Sequence, residues 1–138
     1  MSGLSSIETH TNSDMSQMLA ILEPYLATAK GKFGYAIARN VRKIKDACNE
    51  FLVIRQELIT EIGEADKDEN GNETGSYSIQ INSPAFWEYS KRIDEYAGIE
   101  HDVEIYKVSY DILPEDMTAQ EMLDLEWMLF DSVDNEKE

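Results

Sequence analysis

The sequence predicts an α+β fold with a long central α-helix, shorter flanking helices and a small two-stranded β-sheet. Apolar residues recur at intervals of four and three along residues 32–62, which is typical of one face of a long amphipathic helix. Two shorter segments alternate apolar and polar residues, around Ile79 and around Ile105, which indicates half-buried strands. A sheet of only two strands is marginally stable in water, so we expect these strands to pack on the helices.

The chain of 138 residues is long enough for one domain with a substantial core. We expect a flexible N-terminal tail over residues 1–12, a single α+β domain over residues 13–131 and an acidic C-terminal tail over residues 132–138. The single cysteine excludes an internal disulfide. Because Cys48 lies on the apolar face of the long helix, we expect a core residue and not a nucleophile.

A short first helix is predicted from Ser13, a suitable N-cap, and from the apolar residues that follow it. Pro24 should break this helix, since proline lacks a donor and clashes with the preceding turn. The long helix should then end near Gly63, which suits a left-handed cap. At about 1.5 Å per residue it would span roughly 46 Å. A compact domain of this length is only about 37 Å across.

The long helix is therefore expected to extend beyond its own domain. We expect its apolar stripe to contact a second copy or another protein, because exposed stripes of this kind mark interaction sites. The alternative is that the rest of the chain packs along the stripe. The stripe consists of Ile37, Val41, Ile44, Phe51 and Leu58.

Between the long helix and the first strand, Asp66–Gly71 matches the opening of a calcium-binding loop. Tyr77 stands where that loop requires a bidentate glutamate, so a tight turn at Asn70 and Gly71 is favoured over a cation site. Whether the turn binds any cation stays open. No cofactor and no metal are expected.

The remaining elements follow from local signals. Ser83 and Pro84 suit the start of a helix, which Gly98 should end. A second strand is expected over residues 102–108. Thr118 and Glu121 form the pattern of a capping box that begins a last, strongly apolar helix.

Charge divides the chain into two halves. Residues 1–55 hold seven basic and five acidic residues, whereas residues 56–138 hold five basic and 23 acidic residues. The acidic half would repel phosphates, so we expect no binding to duplex nucleic acid and none to membranes. It could attract a basic protein surface, and mimicry of nucleic acid is left open.

The early part of the long helix carries a basic cluster that could receive an anion or an acidic partner. A solvated helix flank is the alternative. The cluster consists of Lys32, Arg39, Arg42 and Lys43. The two histidines, His10 and His101, are far apart in sequence and offer no catalytic relay, so no enzyme is expected. With no apolar run of about 18 residues and no signal peptide, a soluble intracellular protein is expected.

Two blocks carry a family resemblance. Residues 34–44, GYAIARNVRKI, continue into residues 50–59; residues 103–108, VEIYKV, are followed by residues 117–128, MTAQEMLDLEWM. Together they resemble an uncharacterised family of small proteins from phages and prophages of Gram-positive bacteria. The resemblance implies a phage origin and action in the cytoplasm of an infected bacterial host. The family has no assigned activity and no assigned site residues, so the resemblance implies none for this chain.

These observations favour a non-enzymatic accessory protein that binds and blocks a macromolecular partner, for example a protein of host defence or host physiology. Self-association into a homodimer or higher oligomer would be compatible. Two alternatives stay open. One is a structural or assembly protein of the phage particle. The other is a sequestering protein for a phosphate-bearing signalling ligand, bound at the basic cluster.

Overall fold

The computed structural model describes residues 3–130 and confirms an α+β fold built on a long helix. Its main elements, in chain order, are β1 (Gly3–Thr11), α1 (Asn12–Leu22), α2 (Gly31–Ile62), β2 (Glu64–Lys67), β3 (Glu73–Ser78), α3 (Pro84–Ala97), β4 (Glu100–Ser109), α4 (Ala119–Asp124) and β5 (Leu129–Phe130). Short 3₁₀ turns lie at Glu23–Ala27, Tyr110–Ile112 and Glu126–Met128. The predicted acidic tail, residues 132–138, lies outside the described residues.

The N-terminal segment is a strand, so the prediction of a flexible tail over residues 1–12 is wrong for residues 3–11. Strand β1 pairs antiparallel with β4 along its whole length, from Gly3 opposite Val108 to Thr11 opposite Glu100. The pairing also places His10 opposite His101, although the two residues are far apart in the sequence. Serine and threonine dominate β1, which weakens the apolar alternation that would have indicated a strand.

The strands form two sheets, and the predicted pairing of the two half-buried strands is wrong. One sheet has the order β1-β4-β5, with β5 parallel to β4. The other is the β2-β3 hairpin. Its first strand is polar, and a local turn brings it against β3, so β3 finds its partner within a few residues. Strand β3 also ends earlier than predicted, at Ser78. Ile81, which was expected within the strand, lies in the turn that follows it, and its side chain is 77% exposed.

The helix boundaries follow the predicted signals closely. Thr11, two residues before the predicted cap, accepts a hydrogen bond from the Asp14 backbone N–H at 3.0 Å and caps α1. Pro24 lies in a 3₁₀ turn that ends α1, as predicted. Ser83 caps α3 by accepting from the Phe86 N–H. Thr118 and Glu121 form the predicted capping box, although α4 is shorter than expected and leads into β5.

The apolar stripe of α2 belongs to the core of its own chain, so the prediction of an interface stripe is wrong. Ile37 and Ile44 are fully buried, and Val41, Phe51 and Leu58 are nearly so. Elements α1, β4 and α3 pack along α2 and cover it. The alternative, in which the rest of the chain folds along the stripe, is confirmed.

Helix α2 is interrupted at Cys48, whose backbone has φ −110° and ψ 18°. The first half of α2 packs against β4, where Asn40 bonds to Tyr106, and the second half carries α3. Helix α1 also contacts the second half, where the Arg55 guanidinium donates to the Ser16 hydroxyl at 2.7 Å. Burial raises the pKa of the Cys48 thiol, which keeps it protonated and inert. The expectation of a core cysteine is confirmed, since Cys48 joins the main apolar cluster.

The end of α2 is tightly packed. Gly63 has an extended backbone, with φ −78°, so the predicted left-handed cap is wrong. The position needs glycine for space: an added Cβ would lie 2.5 Å from the Ile59 carbonyl oxygen and 2.6 Å from the Ser78 carbonyl oxygen. The missing side chain lets the β2-β3 hairpin pack directly against the end of α2.

We therefore expect Gly63→Ala to lower the free energy of unfolding by about 1–3 kcal/mol, because backbone atoms must move to accept the methyl group. Gly98→Ala is the matched control, since nothing lies within 4 Å of a Cβ there. Urea denaturation of both variants measures the difference. Equal stability of the two variants would contradict the close approach at Gly63.

The polar loop between β2 and β3 forms the predicted turn. The Asp68 carboxylate accepts hydrogen bonds from the backbone N–H groups of Asn70 and Asn72, and Gly71 has φ 82°. Within residues 3–130, no group of three or more histidine, cysteine or acidic side chains could hold a metal ion. Over the same range, none of the helices has the length and apolar character needed to cross a membrane.

Candidate protein-interaction surface

The basic cluster is partly neutralised by a carboxylate from β4. The Arg39 guanidinium donates to Glu104 at 3.1 Å and to the Tyr35 hydroxyl at 3.2 Å, and it stacks over the Tyr106 ring, 4.9 Å from its centroid. The Lys43 ammonium lies 3.5 Å from the same Glu104 oxygen. One carboxylate thus occupies the space between two of the four predicted cations.

The surroundings of Arg39 stabilise its charge. The hydrogen bond to Tyr35 raises the pKa of Arg39; partial desolvation opposes this effect, and the hydrogen bond to Glu104 adds to it. Lys32 and Arg42 are exposed and form no ion pair among residues 3–130. The structure therefore brings Arg39 and Lys43 together at Glu104 but does not add Lys32 and Arg42 to them.

Asn40 is a structural residue that the sequence analysis missed. Its side chain is fully buried, and its amide donates to the Tyr106 carbonyl at 2.9 Å and accepts from the Tyr106 N–H at 2.7 Å. The side chain thus satisfies the backbone of β4 on the edge away from β1, just before β5 begins to pair. A polar residue within an otherwise apolar helix face was the available signal.

A groove of about 530 Å³ lies between the second half of α2 and α3. Its apolar side chains are buried or half-buried and form a floor, while its three carboxylates are exposed and form a rim together with the half-buried Arg92. The floor consists of Ile54, Leu58 and Tyr96. The rim consists of Glu57, Glu61, Arg92 and Glu95.

The rim of this groove is acidic. Three carboxylates face a single cation, and that cation, Arg92, is paired with Glu61 at 2.8 Å. Glu57 and Glu95 form no ion pair within the described part of the chain. The surrounding residues 56–99 hold ten acidic and three basic residues, so the local field is negative.

Sequence analysis singled out neither the groove nor its rim as a binding site. The spacing of Glu57 and Glu61 on one helix is common in so acidic a chain and carried no weight alone. The third carboxylate, Glu95, comes from α3, and only tertiary packing brings the two helices together. The acidic composition of residues 56–138 was the only available signal.

Comparison with known proteins gives no family assignment. No family model, no curated protein and no solved structure matches this chain. The function is therefore inferred from the geometry and charges of residues 3–130.

Proposed function

We propose that this chain is a non-enzymatic phage accessory protein that binds and blocks a protein partner through the groove between α2 and α3. The carrying observation is the groove itself, which combines an apolar floor with an acidic rim. The phage origin and the action in the host cytoplasm rest on the resemblance of residues 34–44 and 50–59 and of residues 103–108 and 117–128. The target would be a protein of host defence or host physiology.

The chemistry of the groove selects its partner. Two packed helices form a channel into which a third helix can lay an apolar face. Lysine or arginine residues beside that face would meet the carboxylates of Glu57, Glu61 and Glu95. A basic amphipathic helix therefore fits both the floor and the rim.

Electrostatics would act mainly on the rate of encounter. The field of residues 56–99 draws a basic segment towards the groove, and burial against Leu58 and its neighbours would then slow its release. Occupation of the segment by this chain would block its use by the partner's own ligands. Inhibition would thus be steric and would need no chemical step.

The groove supports the proposed partner binding better than the basic cluster does. A phosphate at the cluster would have to displace Glu104 from both Arg39 and Lys43, and these contacts already satisfy much of their charge. The groove carboxylates Glu57 and Glu95 have no such internal partner within residues 3–130. Their charges are available to another protein.

The test is capture from a host lysate by the immobilised full chain and by two charge-reversal variants. Glu57→Lys with Glu95→Lys alters the groove rim. Glu115→Lys with Glu126→Lys is the matched control, because it changes the net charge equally at exposed residues that do not line the groove. Thermal unfolding verifies that both variants are folded.

We expect one protein to be retained in a saturable manner by the unaltered chain and by the control, and to be released at high salt. Its affinity for the groove variant should be at least tenfold lower. A tenfold loss corresponds to about 1.4 kcal/mol, a reasonable cost for reversing two rim charges. If the unaltered chain and the groove variant retain the same proteins equally, the groove is not the binding site.

A further inference from the structure

Strand β1 forms an open edge of the three-stranded sheet. It has β4 on one side, and no strand of residues 3–130 lies on the other. The strand is nine residues long, which gives an edge of about 30 Å. Its outward backbone groups can therefore pair with a further strand.

This edge lacks the features that normally prevent strand pairing. Proteins protect long edges with proline, lysine or a bulge. Strand β1, GLSSIETHT, contains neither proline nor lysine, and its register with β4 runs without a shift from end to end. Two of its apolar side chains are also exposed to solvent, Ile7 at 67% and Leu4 at 42%.

We propose that β1 pairs antiparallel with β1 of a second copy, with Ile7 on the two-fold axis, so that two chains form one continuous six-stranded sheet. This axis is the one that pairs all nine residues of β1, since Ile7 is its central residue. It places Ile7 against Ile7 of the partner subunit. Apolar side chains that lie directly opposite each other on two paired strands stabilise a sheet. Here the contact between the two copies would cover Ile7, the most exposed apolar side chain of β1.

Charge along the edge favours this register. Glu8 is the only acidic residue of β1, and the axis at Ile7 places it opposite Ser6 of the partner subunit. An axis displaced by one residue to Glu8 would place two carboxylates directly opposite each other, which is unfavourable. The proposed register avoids that repulsion and also pairs the most residues.

The charge of Glu8 is also balanced within its own chain. Its carboxylate contacts the Lys107 ammonium at 2.7 Å and the His10 ring at 2.8 Å. Burial acts to raise the pKa of Glu8, but the hydrogen bonds from Lys107 and His10 outweigh it and leave the pKa below its ordinary value. The edge therefore adds little repulsion, although each chain carries a net charge of −16.

These features favour a second copy over a foreign strand as the occupant. A two-fold axis requires the same segment to be compatible with itself, and β1 meets that condition in side-chain size and in charge. Isologous pairing of this kind closes after two copies, because each chain has one β1 and the two-fold axis uses both of them. The proposal therefore predicts a dimer and not a filament.

The test measures the mass of the full chain in solution by light scattering across a range of concentrations. We expect the unaltered chain to reach twice 15.8 kDa, and the dimer to strengthen with added salt because salt screens repulsion between the two chains. Ile7→Lys should give a monomer, since two ammonium groups would meet on the axis. Ile81→Lys is the control, because Ile81 is a similarly exposed isoleucine that lies outside the three-stranded sheet, in the turn after β3, and this variant should remain dimeric.

Hydrogen exchange provides a second measurement that needs no variant. Dilution of the unaltered chain should speed exchange of β1 amides at least tenfold while leaving the amides of α2 unchanged. A mass of 15.8 kDa at every concentration would overturn the proposal. A dimer that survives Ile7→Lys, or one whose β1 amides do not respond to dilution, would overturn it as well.

Discussion

Asn40→Leu is expected to lower the free energy of unfolding by about 2–5 kcal/mol, measured by urea denaturation. Leucine has the same branched side-chain shape and favours a helix, so lost hydrogen bonding is the main expected cause. The substitution leaves the N–H and the carbonyl of Tyr106 without the partners they have at 2.7 and 2.9 Å. Each buried group left unpaired costs about 1–3 kcal/mol.

The matched control is Asn49→Leu, at an exposed position of the same helix. Asn49 makes no side-chain hydrogen bond in the described structure, so this change should alter stability by less than about 0.5 kcal/mol. Exchange of the Tyr106 amide hydrogen should accelerate only in the Asn40 variant. If both leucine variants unfold at the same urea concentration, Asn40 does not support the edge of β4.

Ile44→Ala should lower the free energy of unfolding by about 2–5 kcal/mol, because it empties a fully buried site in the core. The size of the effect distinguishes the two interpretations of the α2 stripe. A residue that served only as an interface would be exposed in the isolated chain, and its truncation would leave the stability of that chain nearly unchanged.

Val53→Ala is the control for this truncation. Val53 lies on the same helix, and its side chain is 47% exposed. Thermal unfolding of both variants, under conditions in which each is monomeric, provides the comparison. An Ile44 variant as stable as the Val53 variant would mean that the stripe is not packed within the chain.

Local sequence signals predicted the helices well. The spacing of apolar residues located α2 to within a residue, and the caps at Ser83 and Thr118 act as their chemistry requires. These signals are reliable because a helix satisfies its backbone within a few residues of each position. The same reasoning identified the turn at Asn70 and Gly71.

Long-range pairing was the part that local signals could not reveal. Strand β1 is stabilised by backbone hydrogen bonds to β4, which lies about 90 residues later in the sequence. The residues near Ile7 therefore give no local indication of this pairing. The length argument for α2 failed for a related reason. It compared one helix with a sphere, whereas α1, β4 and α3 are distributed along α2 and cover its stripe.

The candidate site was predictable only in part. The excess of acidic residues after residue 56 was evident, but the groove needs Glu57 of α2 and Glu95 of α3 on either side of one channel. The role of Glu104 was also hidden. Its carboxylate reaches the basic cluster from another element and neutralises Arg39 and Lys43.

The pairing of β1 with β4 has a consequence for synthesis. The hydrogen bond from Thr9 to Asp102 joins residues 93 positions apart. The ribosome therefore releases β1 long before β4 exists, and the first sheet closes only after α1 and α2 have been made. Contacts of such separation form slowly. During that interval the nascent β1 lacks its partner strand, and four of its nine residues are serine or threonine, which are compatible with exposure to water.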